Sequence, residues 1–226
     1  MRMSIPNQIT LGRLVLALIF FLVLSLFDAK QPANWLLLTG FWLFLAASVG
    51  DYLDGLLARI LKQVTPFGRI IDPVVDKVMV CGAFVLLAGP NFVHEGRNIT
   101  GVYPWMVIVI LVRELLVSAI RAHAEASGES FAATWVGKIK MAIQSGTVCV
   151  ILGQLGWQLH SLAPLRTACI WLTVIVTALS IVTYIRRAHA FLLTSAALGG
   201  DEPSPQATSP TVDASDSDEE PGGGSA

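Results

Sequence analysis

Apolar residues run in long stretches through the first 190 positions, and the breaks between them are short and rich in Pro, Gly and Asn. A hydrocarbon core of about 30 Å needs about 20 mostly apolar residues per helix. On that measure the pattern predicts six helices, near residues 11–28, 34–61, 66–92, 102–126, 138–159 and 164–193, the longer ones extending past the membrane as polar helical ends. Gln31-Pro32, Thr65-Pro66, Gly89-Pro90-Asn91 and Ala163-Pro164 mark turns between them. The run from Leu14 to Phe27 follows the basic Arg2, as the core of a signal peptide would. No clean small-x-small cleavage site comes after it and more hydrophobic segments do, so it is expected to be retained as the first helix.

Composition strengthens this picture. Of the 226 residues 54% are hydrophobic and 14% charged, with a mean hydropathy of +0.66. Soluble domains carry about 25% charged residues, so an ordinary soluble globule is excluded and an integral membrane protein is expected. The net charge of −1 conceals an asymmetry: residues 199–226 hold seven of the 16 acidic residues and no Lys or Arg. That segment, rich in Pro, Ser and Gly, cannot bury enough apolar surface to order itself and reads as a solvating acidic tail. The expected organisation is one all-α, six-helix membrane domain over 1–198 and a disordered tail over 199–226. The remaining body is basic, which favours anionic lipid or phosphate as a partner.

Placing the basic residues on the six-span topology puts twelve on one side, while Lys30, Arg97 and Arg166 fall on the other. The positive-inside rule then predicts a multi-pass protein of the inner or plasma membrane with both termini in the cytoplasm. Cys81, Cys149 and Cys169 stand alone in apolar stretches and read as small buried hydrophobes. The sequon Asn98-Ile99-Thr100 carries no weight as a glycosylation signal.

The densest chemistry lies in Asp51-Tyr-Leu-Asp54-Gly55-Leu-Leu-Ala58-Arg59 and Gly68-Arg-Ile-Ile-Asp72-Pro-Val-Val-Asp76. At about 100° per residue, Asp51, Asp54, Gly55 and Ala58 share one helical face, and Gly68, Asp72 and Asp76 share another. Thr65-Pro66 reads as the cap and first position of the second helix, and Pro73 as a point where it can kink. A short turn makes the two helices antiparallel neighbours, so both acidic faces converge at the cytoplasmic end. Four carboxylates near lipid cannot all remain ionised without cations, and an all-oxygen set favours Mg²⁺ or Mn²⁺ over zinc or copper. Gly55, Ala58 and Gly68 leave room for a phosphorylated group, although small residues also serve helix packing.

The spacing D-x2-D-G-x2-A-R-x8-G-x3-D-x3-D resembles the motif of the CDP-alcohol phosphotransferases, membrane enzymes that move a phosphatidyl or substituted phosphate group from a cytidine diphosphate donor to an alcohol and release CMP. The resemblance covers most of residues 4–187. It implies six helices, two divalent ions held by Asp51, Asp54, Asp72 and Asp76, and a second role for Asp76 as the base for the attacking hydroxyl. Gly55, Arg59 and Thr65 would contact the donor, with Ala58 and Gly68 beside it. It is also compatible with a homodimer.

The acceptor is addressed by Arg113-Glu114-Leu-Leu-Val-Ser118-Ala-Ile-Arg121 and by Trp135-Val-Gly137-Lys138-Ile-Lys140. Arg113 and Arg121 are about two helical turns apart and can look into one cavity. A membrane-buried Arg is costly without an anionic partner, and its planar fork suits phosphate. Arg113, Arg121, Lys138 and Lys140 are therefore expected to bind an acceptor phosphate, Arg113, Arg121 and Lys140 without enough nearby acids to pair them. Glu114 as a protein partner, and snorkelling of the two lysines to lipid, are the competing readings.

Val112–Gln144 and Ile5–Arg13 are similar to the corresponding parts of bacterial phosphatidylglycerophosphate synthases. That likeness implies transfer from CDP-diacylglycerol to glycerol 3-phosphate and a donor-binding role for Asn7 and Thr10. Relatives using inositol phosphate, phosphatidylglycerol, serine or inositol are the rivals within the family. From another class, an ion or solute transporter would use the acids as a coordination site, but no inverted repeat with a midplane site is evident. His94, His123, His160 and His189 share no ligand spacing. Trp35, Trp105, Trp157 and Trp171 fit interfacial anchors and give no support to nucleic-acid binding.

Overall fold

The computed structural model describes residues 5–61, 66–126 and 135–198, with side-chain surroundings defined for 11–50, 74–75, 77–120, 122, 139–184 and 186. It divides into units 1–188 and 189–226. Of the second unit only the C-terminal turns of the last helix are described. Six long helices make up the described chain: α1 (Ile5–Ser25), α2 (Asn34–Leu61), α3 (Pro66–Leu87), α4 (Pro104–Ala126), α5 (Trp135–Gly156) and α6 (Ala163–Leu198).

Half of the helix ends fall within two residues of where the punctuation predicts, while both ends of α1 and of α5 are displaced toward the N-terminus by three to six residues. α2 has the predicted bounds, and α3 starts at Pro66, whose missing N–H costs nothing in the first turn. The helix then continues through Pro73. It ends at Leu87, earlier than the expected 92, because Gly89-Pro90 turns the chain into a short 3-10 turn over Pro90–Phe92. α1 begins earlier and α6 runs further than the apolar runs alone indicated. His160–Leu162 forms a second 3-10 turn that leads into α6.

The α3–α4 connection contains a hairpin that the apolar pattern did not predict. β1 (Val93–His94) pairs antiparallel with β2 (Arg97–Asn98), in register Val93 with Asn98 and His94 with Arg97. Its two-residue turn, Glu95-Gly96, has φ of 50° and 75°, the left-handed pair whose twist suits a tight hairpin. The dismissed sequon has a structural task here. Asn98 Nδ2 and Thr100 Oγ1 donate to the Leu87 carbonyl at 3.0 and 2.9 Å, satisfying the C-terminal end of α3. Asn91 Nδ2 donates to Ser25 O, and Ala29 N to Asn91 O, tying this connection to the end of α1. Arg166 Nη1 joins the same region by donating to Ile99 O and Gln154 Oε1.

α1 packs on α2 and α3, α2 on α5, and α3 on α4 and α5. Phe20, Leu24, Phe27, Phe44, Phe84 and Phe92 anchor the core, with the Phe20 and Phe44 rings 5.4 Å apart and Phe27 stacked on Phe92 at 4.8 Å. At Gly82 the Phe21 ring occupies the space a Cβ would need, so α1 approaches α3 there because the side chain is absent. The outer faces are apolar as well: Leu18, Leu22, Trp42, Leu115, Ile175 and Leu179 are all more than half exposed. A soluble monomer rarely shows so much contiguous apolar surface. Two helical segments, Ile139–Gly156 and His160–Tyr184, meet the length and apolarity needed to cross a bilayer among the described residues. All three cysteines are free, with Cys81 buried.

Candidate active site

The backbone brings the acidic motif onto two consecutive helices. Asp51, Asp54, Gly55, Ala58 and Arg59 lie on the C-terminal part of α2, and Gly68, Asp72 and Asp76 on the N-terminal part of α3. Four residues, 62–65, link them, so Thr65 lies outside the described residues. The side chains of the four aspartates, of Arg59, and of Asn7 and Thr10 on α1 also lie outside them, as do those of Arg121 on α4 and Lys138 on α5. Among the described residues no group of three or more His, Cys, Asp or Glu gathers. The four aspartates of the motif recur at helical spacing along α2 and α3, and an all-carboxylate set is chemistry that fits hard divalent cations.

Directly after Asp76 comes Lys77, and from there the geometry is defined. Lys77 Nζ on α3 donates to Ser118 Oγ on α4 at 2.6 Å, and that hydroxyl donates to the Glu114 carbonyl one turn back at 2.5 Å. Glu114 faces two cations. Arg113 Nη1 donates to its Oε1 and Oε2 at 3.2 and 3.3 Å, and Lys140 of α5 forms an ion pair with Oε1. Lys140 is only 1% exposed and Arg113 4%.

The guanidinium of Arg113 is held on other sides too. Its Nε donates to Ser180 Oγ of α6 at 2.9 Å, and its Cζ lies 5.2 Å from the centre of the Tyr184 ring, a cation–π contact. Between α5 and α6, Gln144 Nε2 donates to Thr177 Oγ1, and the Thr147 and Thr173 hydroxyls lie 2.8 Å apart. Lys140, Gln144 and Thr147 recur at helical spacing on α5, as do Thr173, Thr177, Ser180 and Tyr184 on α6. The two polar stripes face each other inside the bundle, where lipid offers no competing hydrogen bonds.

Two of the four expected acceptor-binding cations, Arg113 and Lys140, are therefore brought together. The competing reading of Glu114 as a protein partner is realised: its one carboxylate serves both cations. The reason is geometric, because Lys140 on α5 reaches across the interface to the α4 carboxylate beside Arg113. Lys77, Ser118, Ser180 and Tyr184 had been assigned no part. The i, i+4, i+7 recurrence of polar residues in otherwise apolar α5 and α6 is the sequence signal that marks the α5–α6 part of this seam.

The CDP-alcohol phosphatidyltransferase family model matches residues 3–179 of the chain. The chain belongs to that family. Its similarity to curated members is spread along nearly the whole length of several of them. It is 34% identical over 202 residues to the CDP-diacylglycerol–glycerol-3-phosphate 3-phosphatidyltransferase of Bacillus subtilis, an alignment covering 85% of this chain and 98% of that one. The enzyme of the same name from Pectobacterium atrosepticum is 33% identical, covering 85% and 99%. That of Cereibacter sphaeroides is 36% identical over 154 residues, covering 67% of this chain and 64% of its own. The family match contains both the α2–α3 acids and the Arg113–Glu114–Lys140 cluster. With this membership and its apolar outer faces, the CDP-alcohol phosphatidyltransferase described here is a membrane protein.

Proposed function

We propose that the protein transfers the phosphatidyl group of CDP-diacylglycerol to glycerol 3-phosphate, giving phosphatidylglycerophosphate and CMP in phospholipid biosynthesis. The observation that carries this reading is the buried Arg113 and Lys140, brought side by side in a chain whose relatives bear that enzyme's name. Desolvated cations favour an acceptor that carries its own phosphate, and the planar guanidinium suits its oxygens. Arg121 and Lys138 complete the acceptor site in this reading.

Asp51, Asp54, Asp72 and Asp76 would hold two divalent ions, Mg²⁺ or Mn²⁺. When bound, such ions supply the positive charge that makes the donor phosphorus electrophilic and stabilises the leaving CMP. Asp76 accepts the proton of the attacking hydroxyl, and the phosphatidyl group passes directly to the acceptor. Asn7, Thr10, Gly55, Arg59 and Thr65 bind the cytidine donor, with Ala58 and Gly68 leaving room for it.

All six helices, of 21 to 36 residues, are long enough to pass through a bilayer core, and their exposed apolar faces support six passes. The excess of Lys and Arg at the acidic end supports a cytoplasmic active site and cytoplasmic termini, in the inner or plasma membrane. A homodimer rests on the family likeness alone. The alternatives are a family member that uses inositol phosphate or phosphatidylglycerol, and a transporter. The test is release of CMP by purified protein from CDP-diacylglycerol and Mg²⁺: release that depends on glycerol 3-phosphate supports the reading, and release dependent only on another alcohol moves the protein to that acceptor.

A further inference from the structure

A carboxylate buried among cations that are to bind an anion either competes with that anion or arranges the cations for it. Glu114 Oε1 is shared: it accepts from Arg113 Nη1 at 3.2 Å and pairs with the Lys140 ammonium. The two cationic heads come from different helices and repel each other in a medium of low dielectric. Arg113 is fixed independently, by Ser180 at Nε and by the Tyr184 ring. Glu114 is fixed at its backbone, whose carbonyl receives the Ser118 hydroxyl that Lys77 in turn donates to. Among the described residues Lys140 makes no hydrogen bond besides its ion pair, and an ammonium has three N–H groups, so Glu114 leaves donors on it for an incoming anion. Pushing Glu114 aside would strand a carboxylate that is 9% exposed, a costly outcome.

From this arrangement we infer that Glu114 is a positioning residue for the acceptor's phosphate: its shared oxygen holds Arg113 and Lys140 side by side as one anion-binding surface spanning α4 and α5. The inference rests on the proposed use of a phosphorylated acceptor and deepens it. In this role Glu114 acts through the two cations and not on the reacting atoms. It sets where two phosphate-binding groups stand, so its loss should appear in acceptor affinity and hardly at all in donor affinity.

The test uses full-length protein in mixed micelles, with Glu114→Gln and Glu114→Asp, and inorganic phosphate as a competitor of glycerol 3-phosphate. Wild-type turnover on glycerol 3-phosphate is measured first, and its absence overturns the proposed function itself. In an active enzyme, Glu114→Gln should raise the KM for glycerol 3-phosphate about tenfold or more and weaken phosphate inhibition in parallel, leaving the KM for CDP-diacylglycerol within about twofold. Glu114→Asp, which keeps the charge on a shorter arm, should recover part of that loss. If Glu114→Gln does not fold, the aspartate variant decides, with an expected rise in acceptor KM smaller than tenfold but above that for the donor. An unchanged acceptor KM, or tighter phosphate inhibition in either variant, overturns the inference and makes Glu114 a bystander or a competitor.

Discussion

Glu114 on α4 and Lys140 on α5 form a buried ion pair across a helix interface, and the same carboxylate binds the guanidinium of Arg113. Breaking a buried pair by removing one partner typically costs about 3–5 kcal/mol, because the other charge is left uncompensated. This local balance has to be kept in view when any of the three residues is changed.

Arg113→Lys keeps the charge and removes the fork. A lysine cannot at once reach Ser180, bind both Glu114 oxygens and lie over Tyr184, so the substitution is not conservative here. The KM for glycerol 3-phosphate should rise at least about tenfold, within the 2–5 kcal/mol range of a desolvated charge-assisted contact, with a much smaller change for CDP-diacylglycerol. Steady-state kinetics with each substrate varied in turn provides the check.

Asp51→Asn and Asp72→Asn should each abolish transfer while the protein still inserts and purifies as a folded species. Chelation of the wild-type protein should have the same effect, and Mg²⁺ or Mn²⁺ should restore turnover. Full activity after chelation would remove the metal site from the account.

Gly82→Ala tests the packing that brings α1 against α3. The added methyl would overlap the Phe21 ring, and overpacking of this kind costs about 1–3 kcal/mol. Thermal unfolding in detergent should show a lower Tm. The folded enzyme should keep its substrate KM values, since the described atoms nearest the added methyl all belong to Phe21, which has no part in binding.

Much of this fold was legible in the chain because membrane helices announce themselves by length and apolarity, and their ends by Pro and Gly. α2 was predicted at its observed bounds, and the start of α3 at Pro66. The β1–β2 hairpin escaped because a strand of two residues has no periodicity to read, although Glu95-Gly96 is a turn pair. The acidic motif was legible as spacing. Glu114 as a partner for Arg113 was legible as a competing reading, but its second pairing was not, because adjacent positions on a helix give no hint that Lys140 will meet them from another helix. The buried stripe Thr173, Thr177, Ser180 and Tyr184 was present as a recurrence, but it was masked by the strong apolar character of α6.

Deleting residues 200–226 removes the seven tail acids and none of the residues assigned to the site. Activity in detergent should be retained. A truncated protein that purifies folded yet is inactive would show that the tail does more than solvate.

This enzyme selects its acceptor by phosphate. The most direct measurement is a competition assay in which CDP-diacylglycerol and Mg²⁺ are given to the purified protein with equal concentrations of glycerol 3-phosphate, inositol phosphate, glycerol, serine and inositol, and the lipid products are resolved by mass. Phosphatidylglycerophosphate should be the dominant product and glycerol a poor acceptor. Predominant transfer to glycerol, serine or inositol would contradict selection by phosphate.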